Sequence, residues 1–182
     1  MSRTALLLLI SVVLLPGLLL ADDASPFSIG GRATYFSPKD GDAGWGGGAQ
    51  ARLRLPLFFG AEASIDHRQV DVSGGKLHDW PVQVSGLIYI LPRIIVVQPF
   101  ILGGVGWYHT TFENSNGSDT TDTRFGPHAG AGVEFNLNSR WFLDATYRYT
   151  WIDKFHSDDP SAIRHDIDDS GHMITAGINF RL

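Results

Sequence analysis

The residue types best suited to chemistry crowd into one stretch, HSDDPSAIRHDIDDSGH (156–172). It holds His156, Asp158, Asp159, His165, Asp166, Asp168, Asp169 and His172. Carboxylates and imidazoles at this density suit a hard cation or zinc. Asp166, Asp168, Ser170 and Gly171 follow the opening of a calcium loop, yet the twelfth position is Gly177 instead of a bidentate glutamate. With that ligand missing, the stretch is expected to be a solvated acidic loop, and no metal is assigned to it. His156 and Ser157 beside these aspartates have the types of a base and a nucleophile. A nucleophile on a long loop lacks the rigid support such geometry needs. No catalytic residue and no cofactor are expected, and the chain is read as non-enzymatic.

The remaining charges follow a period of two, so the elements that carry them come next. In FGPHAGAGVEFNLNSRWFLDATYRYTW (125–151), Phe125, Pro127, Ala129, Ala131, Val133 and Phe135 alternate with Gly126, His128, Gly130, Gly132 and Glu134. After a short turn, Trp141, Leu143, Ala145, Tyr147, Tyr149 and Trp151 alternate with Phe142, Asp144, Thr146, Arg148 and Thr150. About ten residues per strand with charges on one face only is the pattern of a strand crossing a bilayer. Similar strands are expected over 27–37, 45–55, from Phe59 through Asp66, from Trp80 to about Ile90, over 98–108, and from Gly171 to the end. In the run Ile94 to Val97 both faces are apolar and the period is lost. SPKDGDAG (37–44), the link with Ser73-Gly74-Gly75, TFENSNGSDTTDT (111–123) and the stretch after Ile152 read as long polar loops. The intervening connections are short. An all-β, eight-stranded, antiparallel up-and-down transmembrane β-barrel is therefore expected, with both termini at its short-turn end.

The two faces differ in charge. The apolar registers contain no Asp, Glu, Lys or Arg, although 18% of the chain is charged; about seven would fall there by chance in about 40 positions. The opposite register carries Arg32, Arg52, Arg54, Arg148 and Arg181 against Glu62, Asp66, Glu134 and Asp144, with His128 among them. Five positive and four negative charges suit an interior ion-pair network. Gly46, Gly48, Gly60, Gly126, Gly130 and Gly132 share that face and leave room for long arginines. A soluble barrel would turn the charged face outward instead. Aromatics decide between the two: Tyr35, Trp45, Trp80, Trp107, Phe125 and Trp151 fall at one level of the apolar face. Phe27, Phe59, Phe135, Trp141 and Phe180 fall at the other. Two such girdles around an apolar band match the two interfaces of a membrane. Phe100, Leu102, Tyr89 and Tyr108 join the charges inside, so a wide water channel is not expected.

Residues 1–21 read as a secretory signal peptide, with Arg3, an apolar run from Ala5 to Leu20 and a cleavage site before Asp22. The alternative, an uncleaved anchor, is disfavoured by the length of the run. Residues 22–182 then form one barrel domain. The absence of cysteine excludes disulfides and thiolate sites, and a net charge of −5 argues against nucleic acid.

PFILGGVGWYHT (99–110), the stretch 126–150 and GHMITAGINFRL (171–182) resemble strands of small outer-membrane barrels of the OmpA-like, OmpX-like and opacity-protein group. The resemblance covers the mature chain and implies residence in the bacterial outer membrane, contact with its lipid, and a closing strand read by the barrel-assembly machinery. The chain ends that signal with Leu182, two residues after Phe180, where the group ends in an aromatic. No peptidoglycan-binding domain follows the barrel, so a cell-wall tether is not implied. Some barrels of this size modify lipid A, but their His-x-Ser-Asn pattern is absent from this sequence. The expected role is structural or surface-interacting, with the loops as the place for an extracellular partner. The alternatives are a narrow pore for small solutes and, ranked lower, a lipid A-modifying enzyme.

Overall fold

Among the described side chains, neighbours along a strand alternate between the two faces, and the strands join edge to edge into a barrel. The computed structural model describes residues 25–39, 43–72, 75–91, 96–114, 119–152 and 170–182. In chain order the strands are β1 (Phe27–Pro38), β2 (Gly44–Arg54), β3 (Phe59–Val72), β4 (Gly75–Tyr89), β5 (Val97–Asn114), β6 (Asp119–Asn136), β7 (Trp141–Thr150) and β8 (Gly171–Arg181). Each pairs antiparallel with its sequence neighbours, and β8 closes on β1 from Ser28↔Arg181 to Pro38↔Gly171. Closure pairs the two edges that an open sheet would leave to aggregate. At Pro81, which has no N–H to give, the β3–β4 pairing lapses between Ile65↔Val82 and Arg68↔Asp79.

The barrel is apolar outside and polar inside. Ile29, Ile65, Val84, Ile101, Ile174 and Ile178 are exposed on the wall, whereas Arg32, Arg52, Glu62, Asp66, Glu134 and Arg148 are buried in the lumen. Two apolar clusters flank this charged middle. Phe36, Tyr108, Ile152 and Met173 lie toward the loop end, and Leu87, Tyr89, Phe100 and Leu102 toward the turn end.

Two of the expected loops are corrected. Residues 111–123 are mostly hairpin: β5 continues to Asn114 and β6 begins at Asp119. The link at 73–75 shrinks in the same way, because β3 runs to Val72 and β4 starts at Gly75. The barrel therefore stands taller along β3–β6 than along β7, β8, β1 and β2. Threonine explains the first case. Thr111 pairs with Thr121, Phe112 with Thr120 and His109 with Thr123, and β-branched residues hold an extended backbone without an apolar period. Of the run Ile94 to Val97, Val97 opens β5 and Val96 is the bend before it; Ile94 and Ile95 lie outside the described residues. The expected signal peptide (1–21) and residues 156–169 of the acidic loop, including His156, Ser157 and His165, lie outside them too.

Candidate functional site

The lumen gathers its charges around Glu62 on β3. Arg52, its direct cross-strand neighbour on β2, donates Nε to Glu62 Oε2 at 3.0 Å and pairs with it through Nη2. Arg148 of β7 reaches the other oxygen, and Arg32 Nη1 of β1 lies 3.5 Å from it. One carboxylate thus faces guanidinium groups from three strands. Arg52 in turn serves three carboxylates, donating Nη1 to Glu134 Oε1 at 2.6 Å and lying 3.6 Å from Asp144 Oδ2. Arg32 grips Asp66 with both Nε and Nη2, a bidentate pair that Thr34 Oγ1 joins at 2.9 Å. Arg54 approaches Glu134 at 3.4 Å and lies over the Tyr89 ring, 3.2 Å from its centroid.

Neutral side chains complete the network. Asp144 Oδ1 accepts from Gln50 Nε2 and Asn179 Nδ2, each at 2.6 Å. Gln83 Oε1 accepts from Arg148 Nη1 at 2.9 Å, while its amide donates to Tyr108 OH at 3.0 Å. These bonds offset the hydration that each buried ion loses, although Gln50 Oε1 and Arg148 Nε have no hydrogen-bond partner among the described residues.

Glycines make the space. A β-carbon on Gly130 would stand 2.0 Å from Tyr147 O, beside the Arg148 backbone. One on Gly132 would meet the Phe100 ring at 2.4 Å. Gly104 of β5 lets Ser85 of β4 reach across to His128 of β6, where Ser85 Oγ and His128 Nε2 are 2.8 Å apart.

Arg32, Arg52, Arg54, Glu62, Asp66, Glu134, Asp144 and Arg148 meet in this one cluster. Arg181 lies at the turn end, where it donates to Asn138 O at 3.4 Å and Ser139 O at 3.3 Å and covers the Phe142 ring. His128 is buried on the inward register of β6, opposite Thr150 and three inward positions from Glu134. Sequence reasoning missed the Arg68–Asp79 pair near the loop end. The signal was present: 62, 64, 66 and 68 continue one inward register on β3, but the strand was expected to stop near Asp66. Gln50, Gln83 and Asn179 were missed because an uncharged amide on an inward register carries no partner information.

Rings occupy both rims of the outer wall. Tyr35 packs on Trp45, Trp107 on Phe125 and Tyr149 on Trp151 at the loop end, with Trp80 against His67. Trp141 packs on Phe180 at the turn end, in a level shared by Phe27, Phe59 and Phe135.

Chemically, the lumen offers pairing and little space. A hollow near its turn end, among Ser28, Arg52, Arg54, Tyr89, Glu134 and Phe142, measures about 10 Å³, room for roughly one water. Ser85 and His128 have the types of a nucleophile and base, but His128 Nδ1 meets no partner among the described residues. No acid therefore orients the imidazole. Larger depressions lie on the outer wall, where Gly31, Ala49, Ala51 and Ala63 lower its surface.

A search of curated protein sequences finds no match. Among solved structures the chain is similar to Neisserial surface protein A (NspA), with a TM-score of 0.69 and 15% identity over 88% of this chain and 100% of that one. OprG from Pseudomonas aeruginosa gives 0.70 and 18% over 87% and 97%. Ail, the attachment invasion locus protein of Yersinia pestis, in complex with the heparin analogue sucrose octasulfate, gives 0.54 and 20% over 86% and 96%. At these identities the likeness is one of fold. A model of the outer membrane protein beta-barrel domain matches residues 5–181, so the chain belongs to that family and resides in the bacterial outer membrane.

Proposed function

We propose that the protein is a closed barrel with a structural and surface-display role, neither an open pore nor an enzyme. The observation that carries this reading is the meeting of β1, β2, β3 and β7 at Glu62. Side chains from opposite walls cross the middle of the lumen there, and apolar clusters back them on both sides. The interior residues Arg32, Arg52, Arg54, Glu62, Asp66, Glu134, Asp144 and Arg148 act as a plug. The aromatic rings mark the two membrane interfaces, and the end with short turns faces the periplasm, as is usual in such barrels.

Residues 1–21 serve export and residues 22–182 form the mature barrel. The closing strand β8, with Ile174 and Ile178 exposed on its outer face and Phe180 packed on Trp141, is the segment we assign to the assembly machinery. Outside the membrane, the taller strands β3–β6 raise a polar wall suited to contact with another molecule. Ail is known with a sulfated saccharide analogue. In sequence, the β1–β2 and β7–β8 links of this chain carry Asp40, Asp42, Asp158, Asp159, Asp166, Asp168 and Asp169, so a polyanionic partner is disfavoured by charge.

Planar-bilayer recording tests the plug. Folded protein, recognised by a gel mobility that boiling changes, should give no stable conductance. Channels of one reproducible size would overturn the closed-barrel reading.

A further inference from the structure

The short-turn end of the barrel ends in apolar tips. In the β2–β3 turn, Leu57 adopts a positive φ of 67° and is 82% exposed. The backbone around it is held in place: Leu55 N donates to Phe59 O at 3.0 Å, and Tyr89 N to Phe58 O at 2.7 Å. A left-handed backbone is costly for a leucine, and an exposed apolar tip is unfavourable in water. Glycine or asparagine would relieve both.

The pattern recurs around the rim. Leu57, Ile90 and Leu137 each stand two residues beyond an outward-facing wall residue: Phe59, Ile88 and Phe135. Ile90 is 60% exposed and Leu137 51%, more than Ile65 on the wall at 45%. At these three turns the apolar surface therefore continues one step past the wall.

Charge points the same way. Residues 55–58, 90–96 and 137–140 contain two arginines and no acidic residue, whereas 39–43, 73–74, 115–118 and 151–170 contain eight acidic residues against three basic. Arg140 is exposed at the tip of the β6–β7 turn, whose backbone Asn138 Oδ1 holds by accepting from Arg140 N at 2.9 Å and Trp141 N at 2.8 Å.

We propose that this rim is sunk in the phospholipid leaflet it meets, with Leu57, Ile90 and Leu137 among the lipids and Arg140 on an anionic headgroup phosphate. The occupant is lipid because the tips extend the surface that already faces the bilayer. A protein partner would have no reason to follow that surface around three turns. The inference rests on the periplasmic placement of the turns, which the same labels check against a loop-end site.

The chain has no cysteine, so Leu57→Cys, Leu137→Cys and, as a loop-end control, Ser37→Cys give single sites for an environment-sensitive fluorophore. In phosphatidylglycerol vesicles, positions 57 and 137 should be quenched by a lipid-borne quencher and protected from iodide, relative to position 37. Equal access of iodide to all three overturns the proposal. Labels protected in cell envelopes but open to iodide in vesicles would assign the rim to a protein instead, and overturn it too.

Leu57→Asn supplies a test of sign. It relieves the backbone and adds polarity, so a water-facing turn would be stabilised. In a submerged turn the unfolding constant in vesicles should instead rise roughly tenfold; a fall overturns the proposal. Arg140→Ser should lower the preference of boundary lipid for phosphatidylglycerol over phosphatidylcholine, and an unchanged preference refutes the headgroup contact.

Discussion

The middle of the lumen and its loop end solve the same problem differently. Around Glu62, three guanidinium groups and the carboxylates of Glu134 and Asp144 interlock, each side chain at most 2% exposed. Near the loop end, Arg68 pairs with Asp79, whose side chain retains 15% exposure, and rests 4.1 Å above the Phe36 ring. The first arrangement is a network in which removing one member strands several others. The second is a pair whose loss is softened by water. The cost of losing a charge inside this barrel should therefore follow the number of partners left behind, more than the length of any single contact.

The sharpest way to break that contrast is Glu62→Ala. It leaves Arg32, Arg52 and Arg148 without their shared carboxylate and should destabilise the barrel by about 3–5 kcal/mol. Urea unfolding in lipid vesicles, followed by the shift between folded and unfolded gel mobility, measures this. A cost near that of a loop-end mutant would remove the distinction between the two regions. Combining Glu62→Gln with Arg148→Met should recover part of the loss, because the central cluster then has one fewer positive group to satisfy.

A packing change in the same region should have an intermediate effect. Gly132→Ala puts a methyl group against the Phe100 ring, 2.4 Å away, and 2.7 Å from Ala145 O. The overpacking should cost about 1–3 kcal/mol in the same unfolding assay. The smallest effect is expected from Arg68→Met, which keeps the contact with Phe36 and loses the pair with Asp79. It should cost about 1 kcal/mol, near the upper range for ion pairs that water can reach. A loss as large as that of Glu62→Ala would show that the loop end is as tightly sealed as the middle.

Much of this architecture was legible residue by residue. The alternation from Phe125 to Trp151 identified the inward set Glu134, Asp144 and Arg148 and the outward set of aromatics, because a strand sends neighbours to opposite faces whatever it pairs with. The height of β5 and β6 was not legible. Beyond Trp107 and Phe125 the sequence shows no apolar period to distinguish a strand from a loop, and only the pairing of Thr111 with Thr121 and its neighbours reveals it. Arg68 and Asp79 were missed for another reason: they lie beyond the ends expected for β3 and β4, at Asp66 and Trp80.

The lumen contacts divide along a similar line. Arg52 and Glu62 are adjacent across β2 and β3, so the register of a single hairpin predicts that pair. Arg148 reaches Glu62 from β7 on the far side of the barrel, and His128 reaches Ser85 over the intervening β5. Such meetings depend on how the sheet closes.

The sequence by itself determined which face of each strand carries charge, where the aromatic rings lie and how many strands there are, because period two and turn chemistry act over a few residues. Only the tertiary structure decided which arginine meets which carboxylate, which atoms each interior glycine lets approach, and that the apolar wall runs on into Leu57, Ile90 and Leu137. Those features depend on register and closure, which bring together side chains that no local pattern connects.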